Sequence, residues 1–471
     1  MVDHSPILQR VWEHAAAQPD KVALICGDER VTYASLRSRI LSAAAALQAQ
    51  GVHSGDCIGI VARKGLAFIY TYLGGHLIGA VNVVLDPEAN EKRLEFIRAL
   101  TQPKLVVDAL ALVDGAMPAP VSGLSRDDTA DIVFTTGTTG AAKGVLLSHF
   151  NIFSSADNIN GFIGNGGDEV EILGLPLCHS FGLGRLRCTL LKGATLVVLP
   201  SFGNVKAFFA AIEKYHATGF GMVPAVWEYI RKFSGTRIAK YAPQIKYIEI
   251  GSAAMATESK KELCALFPDT RICHHYGLTE ASRAAFMEYH ACIDDLRTIG
   301  REVSDKVSIR ILDETGCEVP PGQSGEICIQ GNMVMKGYFK PEETAAAFHG
   351  RFFRSGDEGY RAPNGNLYLV SRKKELINVG GKKVSPVEVE DAILSLGVED
   401  CAVVGIPDPD GILGEVPKAY LLKNGTDLSF DDIKKSLAAQ LEPYKVPVAW
   451  DWIDAIPKTS SGKKQRLQLK G

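Results

Sequence analysis

Closely paired cysteines, an excess of one charge and any long unbroken apolar run are all missing from this 471-residue sequence. Ten cysteines are scattered from Cys26 to Cys401 with no C-x-x-C pair. That excludes a dense disulfide framework or a ribbon-type zinc site and favours reduced thiols in a cytoplasmic setting. Lysine plus arginine number 51 against 54 acidic residues, a formal net charge of −3, so no electrostatic footprint for nucleic acid or an anionic membrane is present. The N-terminus lacks the basic-then-apolar pattern of a signal peptide. Instead Ile7, Leu8, Val11, Trp12 and Ala15 recur at helical spacing. The nearest approach to a membrane span is Leu66–Leu85, whose only charged or titratable basic side chain is His76. Gly74, Gly75 and Gly79 interrupt it, and its β-branched end stops at Asp86-Pro87, so it reads as a buried helix followed by a buried strand. Walker A, G-x-S-x-G and H-E-x-x-H patterns are absent as well, which removes a P-loop NTPase, a serine hydrolase elbow and a zincin. Gly161–Gly167 is glycine-rich but lacks the strand-then-G-x-G-x-x-G context of a dinucleotide fold.

What is present is a soluble-globular composition, 46% apolar and 22% charged, in a chain long enough for more than one compact unit. Short β-rich runs (Val22–Ile25, Cys57–Val61, Val81–Leu85, Leu105–Val107) alternate with helical stretches (Ala34–Gln50, Glu91–Ala99). The same rhythm returns at Leu173–Pro176, Ala194–Leu199, Val205–His216, Gly219–Val223 and Ile245–Ile250. The alternation predicts an α/β fold with largely parallel sheets. After about Gly300, turns such as Asp313–Gly316 and Pro320–Gly322 suggest a smaller β-rich subdomain reaching about Val370. The charged cluster Ser371–Glu375 then marks a domain junction, with a further α/β rhythm beyond it.

The stretch Asp131–His149 carries the chemistry. Ile132-Val133-Phe134 reads as a strand, Val145-Leu146-Leu147 as another, and between them lie Thr135, Thr136, Gly137, Thr138, Thr139 and Gly140, then Lys143. Glycines that let N–H groups approach an anion, with hydroxyls and a lysine beside them, suit a phosphate cradle better than a packed hairpin. Four more segments follow in order: Cys178-His179-Ser180-Phe181-Gly182, His274-His275-Tyr276-Gly277-Leu278-Thr279-Glu280, Phe353-Arg354-Ser355-Gly356-Asp357, and Pro457–Lys464. Each has a bland reading: a satisfied core histidine, a helix N-cap at Thr279, a turn with an acid, a frayed basic tail.

Taken together they resemble the AMP-forming carboxylate ligases, the adenylate-forming superfamily of acyl- and aryl-CoA synthetases, peptide-synthetase adenylation domains and beetle luciferases. The resemblance covers essentially the whole chain. It implies a large N-terminal domain, residues 1–373, of two mixed α/β sheet subdomains plus a small β-rich subdomain. A small mobile α+β cap, residues 374–471, would pivot near Lys374. It implies ATP, Mg²⁺ and coenzyme A, with Lys463, Thr279 and Glu280 catalytic and Glu280 on the metal. Thr135–Gly140 and Lys143 would hold phosphates; Ser252, Ala253, Tyr276 and Gly277 would line the adenine; Asp357 and Arg372 would meet the ribose or phosphate. Arg372 follows Ser371 where the family carries glycine. His179, Gly182, Val223 and Gly251 would form the acyl pocket, with Gly182 and Gly184 leaving room, and Gly380, Gly381 and Lys382 a thiol tunnel. No acidic residue lies between Leu173 and Leu199, which argues against an α-amino acid substrate. The resemblance therefore predicts a small-molecule carboxylic acid joined through acyl-AMP to coenzyme A, in a monomer or homodimer without a membrane span. The phosphopantetheine of an acyl carrier protein is the alternative acceptor. A non-catalytic nucleotide-binding relative is a further alternative, disfavoured by the retention of Glu280, Asp357, Arg372 and Lys463 together. Arg185, Arg187 and Arg283 read as structural ion pairs or, more sharply, as partners of a second acidic group on the substrate.

Overall fold

The computed structural model describes residues 2–135, 142–372, 374–423, 425–459 and 463–470. The body is built on two mixed sheets. The nine-stranded one runs Arg301–Glu302, Ala285–Glu288, Arg271–Tyr276, Tyr247–Ile250, Gly219–Met222, Val170–Leu173, Thr195–Val198, Val22–Cys26, Glu29–Thr32. Its six inner strands are parallel and its edges antiparallel. The six-stranded one runs Gly337–Tyr338, Gly144–Ser148, Thr129–Phe134, Val81–Leu85, Cys57–Val61, Leu105–Val107. Parallel strands covered on both faces read as continuous apolar runs, which is why Val81–Leu85 and Cys57–Val61 were legible. Leu66–Leu77 is a helix whose residues are nearly all buried, and no described helix is long and apolar enough to cross a membrane. A five-stranded antiparallel sheet, including Val307–Leu312, Gly325–Gly331, Phe352–Arg361 and Leu367–Arg372, completes the large N-terminal domain.

A smaller C-terminal domain follows with its own core around Ile377, Val403, Leu421 and Ile433. It holds the hairpin Ile377–Val379/Lys382–Val384, the helices Pro386–Leu394 and Phe430–Ala438, and the sheet Cys401–Pro407, Glu415–Leu422, Ala449–Ile453. The two domains touch through Lys383, whose ammonium donates to both Glu358 oxygens (2.7 and 3.0 Å). The buried Glu390 ties the tail back to the Pro386–Leu394 helix: it accepts from Lys464 (3.1 Å), twice from Arg466 (2.7 and 2.8 Å) and from the Val403 N–H (2.9 Å). Burial alone would raise its carboxyl, but the Lys464 and Arg466 charges outweigh it and hold it down to about 2. A carboxyl depressed from the ordinary value of about 4.3 contributes stability above that value and loses it as pH falls toward 2, at most roughly 3 kcal/mol here. The urea midpoint of the wild type should therefore exceed that of Glu390→Gln near neutrality, and the gap should close as pH falls through about 4 to 3. A gap independent of pH would contradict the assignment.

Two elements differ from expectation. The strand at Val170 ends at Leu173, because Pro176 has no N–H for a ladder and Gly174 lies face-on to Phe202, whose ring a Cβ would meet at 2.7 Å. No helix begins at Thr279. Residues 277–284 form a loop between two antiparallel strands, closed by mutual Leu278 and Ala281 backbone bonds (3.1 and 3.2 Å).

Candidate active site

Both sheets and the C-terminal tail end at one cavity of about 120 Å³. Val133, Phe134 and Thr135 reach it from the strand before the threonine–glycine loop; His179, Ser180 and Phe181 from the start of the helix Ser180–Lys192; and Lys463 from the tail. Ser252, His275, Gly277, Leu278, Thr279, Ser282 and Arg283 complete it from the carboxyl ends of the nine-stranded sheet, the usual place for a ligand in an open α/β sheet. A larger open depression of about 530 Å³ beside Lys206, Glu213 and Arg237 gathers no comparable constellation.

One wall of the cavity comes from a β-hairpin. Thr129–Phe134 pairs antiparallel with Gly144–Ser148, and the Thr135 N–H donates to the Lys143 carbonyl (3.0 Å). Lys143 lies 4.6 Å over the Tyr338 ring. Thr136, Gly137, Thr138, Thr139 and Gly140 lie outside the described residues.

Asp357 is buried on the strand Phe352–Arg361. It accepts from the Tyr276 hydroxyl (2.6 Å) and pairs with Arg372 Nε (2.8 Å). Burial, then the Asp357 charge, push the Tyr276 phenol well above its ordinary value. Arg372, which burial would depress, is raised by Asp357. Ser371 is buried in place of the family's glycine, and Arg372 still reaches Asp357. Ser252 takes a left-handed φ of 71° after the strand Tyr247–Ile250, and the Ala253 carbonyl accepts from His274 Nε2 (3.1 Å), which fixes the loop beside Tyr276.

Glu280 is buried and accepts from the Tyr338 hydroxyl (2.7 Å). Its carboxylate and the Thr279 hydroxyl form a hard-oxygen donor set that fits Mg²⁺. Lys463, exposed on the tail, lines the same cavity as Thr279; desolvation and then Arg372 lower its ammonium, while Asp357, Glu375 and Glu280 oppose that shift. Its N–H donates to Thr459 Oγ1 (3.1 Å).

The arginines are settled by their partners. Arg185 donates to Glu171 (2.7 Å) and Glu249 (2.9 Å), and Arg187 to Asp131 and the Tyr72 hydroxyl, all buried. Arg283 donates to Glu249 (3.1 Å) and to the Ser180 and Phe181 carbonyls (2.9 and 3.1 Å). Structural pairing therefore uses Arg185 and Arg187, and Arg283 reaches the cavity with its charge already matched. Cys178 sits beside His179 and Asp86, but burial pushes its thiol up to about 12, which leaves no thiolate for covalent chemistry.

Three of the expected acyl-pocket residues do not line the cavity. A Cβ on Gly182 would lie 2.1 Å from the Pro176 carbonyl and one on Gly184 2.4 Å from Arg283, so these glycines admit close packing rather than leave room. Gly251 lies under the His275 ring, where a Cβ would fall 1.9 Å from Cε1, and Val223 caps the helix Pro224–Ser234. Gly251→Ala should thus displace His275 and lower kcat/KM for the acid more than tenfold while leaving KM for ATP within threefold; equal changes in both would show the loop itself had shifted. Gly380 and Gly381 turn the cap hairpin with φ of 57° and 82°, Lys382 lies over Tyr444, and Lys374 is exposed; none of the four meets the cavity in this arrangement. The motifs gave no role to His275, Glu249, Ser282 or Tyr338. Glu249, an acid inside an apolar strand, was the one visible signal.

The AMP-binding enzyme model matches residues 11–120 and 108–339, and the AMP-binding enzyme C-terminal domain model matches 388–463. Feruloyl-CoA synthase of an Amycolatopsis species is 30% identical over 475 residues, covering 95% of each chain. ATP-bound MatB from Rhodopseudomonas palustris is 26% identical, with a TM-score of 0.91 over 99% of this chain and 98% of that one; the apo form of the same protein scores 0.83. o-Succinylbenzoate CoA synthetase (MenE) from Bacillus subtilis, holding its acyl-adenylate, is 25% identical with a TM-score of 0.88 over 98% of both chains. On the matched models and the full-length similarity, the chain belongs to the AMP-binding enzyme family and is an AMP-forming acid–thiol ligase of the adenylate-forming superfamily.

Proposed function

We propose that this site joins a small carboxylic acid to AMP and then passes the acyl group to coenzyme A, with the residue roles that follow. A carboxylate oxygen of the acid attacks the α-phosphorus of ATP, and the bond to the β-phosphate breaks to release pyrophosphate. Two anions must approach, so the chain's work is charge neutralisation. Lys463 and the Thr279 hydroxyl donate to the α-phosphate and the forming ester; Lys143 faces the departing phosphates. Asp357 accepts from the ribose hydroxyls, and Tyr276 with Ser252–Ala253 flanks the base. Glu280 and Thr279 would hold Mg²⁺, which supplies further neutralisation when bound. In the second step the thiol sulfur attacks the acyl carbonyl, the C–O bond to AMP breaks, and the thiol proton leaves to solvent.

The observation that carries this reading is the meeting of Lys463, on the C-terminal domain, with Thr279 in one cavity. The higher TM-score with ATP-bound than apo MatB supports the same arrangement. Since Gly380–Lys382 stand away from the cavity here, the thioester step needs the cap, residues 374–471, to pivot near Lys374 and exchange Lys463 for the glycine turn; the Lys383–Glu358 and Lys232–Glu399 pairs and the Ser385 bond to the Val370 carbonyl are among the contacts in its way. Free coenzyme A is the acceptor by analogy with the named relatives, and ten free cysteines suit a cytoplasmic protein. Incubation with ATP and an acid panel, followed by pyrophosphate release and then thioester formation with coenzyme A or a phosphopantetheinylated carrier protein, tests both halves.

A further inference from the structure

We infer that His275 selects the acid, accepting a hydrogen bond from a hydroxyl at the end of a compact substrate remote from its carboxylate. This rests on the proposed reaction and names its substrate class. His275 stands on the strand Arg271–Tyr276 with its Nδ1 2.7 Å from Glu249 Oε1, an ion-pair approach that is not aligned as a hydrogen bond. A bare ring nitrogen at that distance would set two lone pairs against each other, so the ring proton belongs on Nδ1. Glu249 stays a carboxylate because Arg185 and Arg283 flank it at 2.9 and 3.1 Å. The four charged groups, Glu171, Glu249, Arg185 and Arg283, sum to zero, so the group calls for no further charge on the imidazole. A neutral ring protonated at Nδ1 offers its other nitrogen, Nε2, purely as an acceptor.

That nitrogen has no hydrogen-bond partner among the described residues, and His275 lines the cavity. The ring is held in place: Phe181 and Phe286 meet it edge-to-face at 4.7 and 5.8 Å, and Gly251 lies against it too closely to allow even a methyl group. Beside it Ser282 Oγ accepts from Arg283 Nη1 (3.1 Å), which leaves the serine proton free to donate. An acceptor beside a donor matches a hydroxyl, which both gives and takes. A second carboxylate would instead face the Nε2 lone pair and an arginine already matched to Glu249, and an alkyl end would strand the acceptor unpaired. The cavity of about 120 Å³, which also holds Thr279 and Lys463, is far below the 300–1,000 Å³ or so of pockets for larger ligands, so the acid is compact.

The test compares acids matched in shape: 4-hydroxybutyrate, pentanoate and glutarate, and 4-hydroxybenzoate, 4-methylbenzoate and terephthalate, by initial rates of pyrophosphate release at saturating ATP. The hydroxyl member of one trio should exceed its methyl partner at least tenfold in kcat/KM, since sites built to pair a hydroxyl discriminate strongly against its loss. His275→Leu should lower the hydroxyl member about 10- to 100-fold and leave the methyl member and KM for ATP within threefold. His275→Gln, with an amide oxygen at similar reach, should restore part of the preference. A wild type that prefers the methyl or dicarboxylate member, or a ranking unchanged in His275→Leu, overturns the inference. Pyrophosphate release with none of the six, by protein that still binds ATP, overturns it too and leaves the ligase reading standing; failure to bind ATP overturns the ligase reading itself.

Discussion

Lys463→Ala is expected to slow adenylation by about 10²–10³-fold, the loss seen when one preorganised donor to a developing charge is removed, and to leave thioester formation from supplied acyl-AMP within about threefold. The asymmetry follows from where the lysine sits. Its ammonium comes from the C-terminal tail into the cavity that holds Thr279, while the glycine turn at Gly380–Gly381 lies outside it. In the proposed mechanism it serves the step in which phosphate and carboxylate meet, and leaves before the thiol enters. Desolvation in the cleft and Arg372 disfavour its charge, and the nearby Asp357, Glu375 and Glu280 oppose that shift, while the side chain stays exposed enough to meet an incoming polyphosphate. Quench-flow measurement of the two half-reactions decides the matter: parallel loss of both would show that a single arrangement serves the whole cycle, and loss of neither would remove Lys463 from the chemistry.

Asp357→Asn should weaken ATP binding about 10- to 100-fold by isothermal titration. Asp357 holds the Tyr276 hydroxyl and Arg372 at once, one on each oxygen, and has a lone pair left on each for a ribose hydroxyl. An amide keeps the shape but has a single acceptor oxygen; once Arg372 takes it, the other side presents N–H groups where the ribose needs acceptors. Arg372, part-exposed, also loses its counter-charge, which is unfavourable though less so than in a fully buried pair. Part of the loss will therefore appear as a lower Tm, and a deoxyribose analogue separates the two: the variant should no longer distinguish ATP from 2′-deoxy-ATP. An unchanged Kd would mean that the ribose is read elsewhere.

How much of this was legible beforehand depended on the range of the interaction. Val81–Leu85, Cys57–Val61 and Leu105–Val107 matched to the residue, since parallel strands buried on both faces write their burial directly into composition. The helix Val205–Tyr215 was off by one residue, its amphipathic face being local too. Leu173–Pro176 was misplaced because its strand stops where a Phe202 ring, distant in sequence, covers Gly174. Gly182 and Gly184 looked like room for a substrate and proved to be close approaches to a carbonyl and a guanidinium. Glycine reads the same in sequence whether its missing side chain makes space or is occupied by a neighbour.

The sequence by itself determined the α/β class, the order of the motifs and the reaction type, because strand periodicity and the residue chemistry of a phosphate loop are properties of short segments. Only the tertiary structure decided that Arg185, Arg187 and Arg283 are matched by Glu171, Asp131 and Glu249, that Tyr338 supports Glu280 across 58 positions, and that His275 lines the cavity against Glu249. Whether a buried polar group is already satisfied is a question about neighbours in space, and burial makes each such answer decisive.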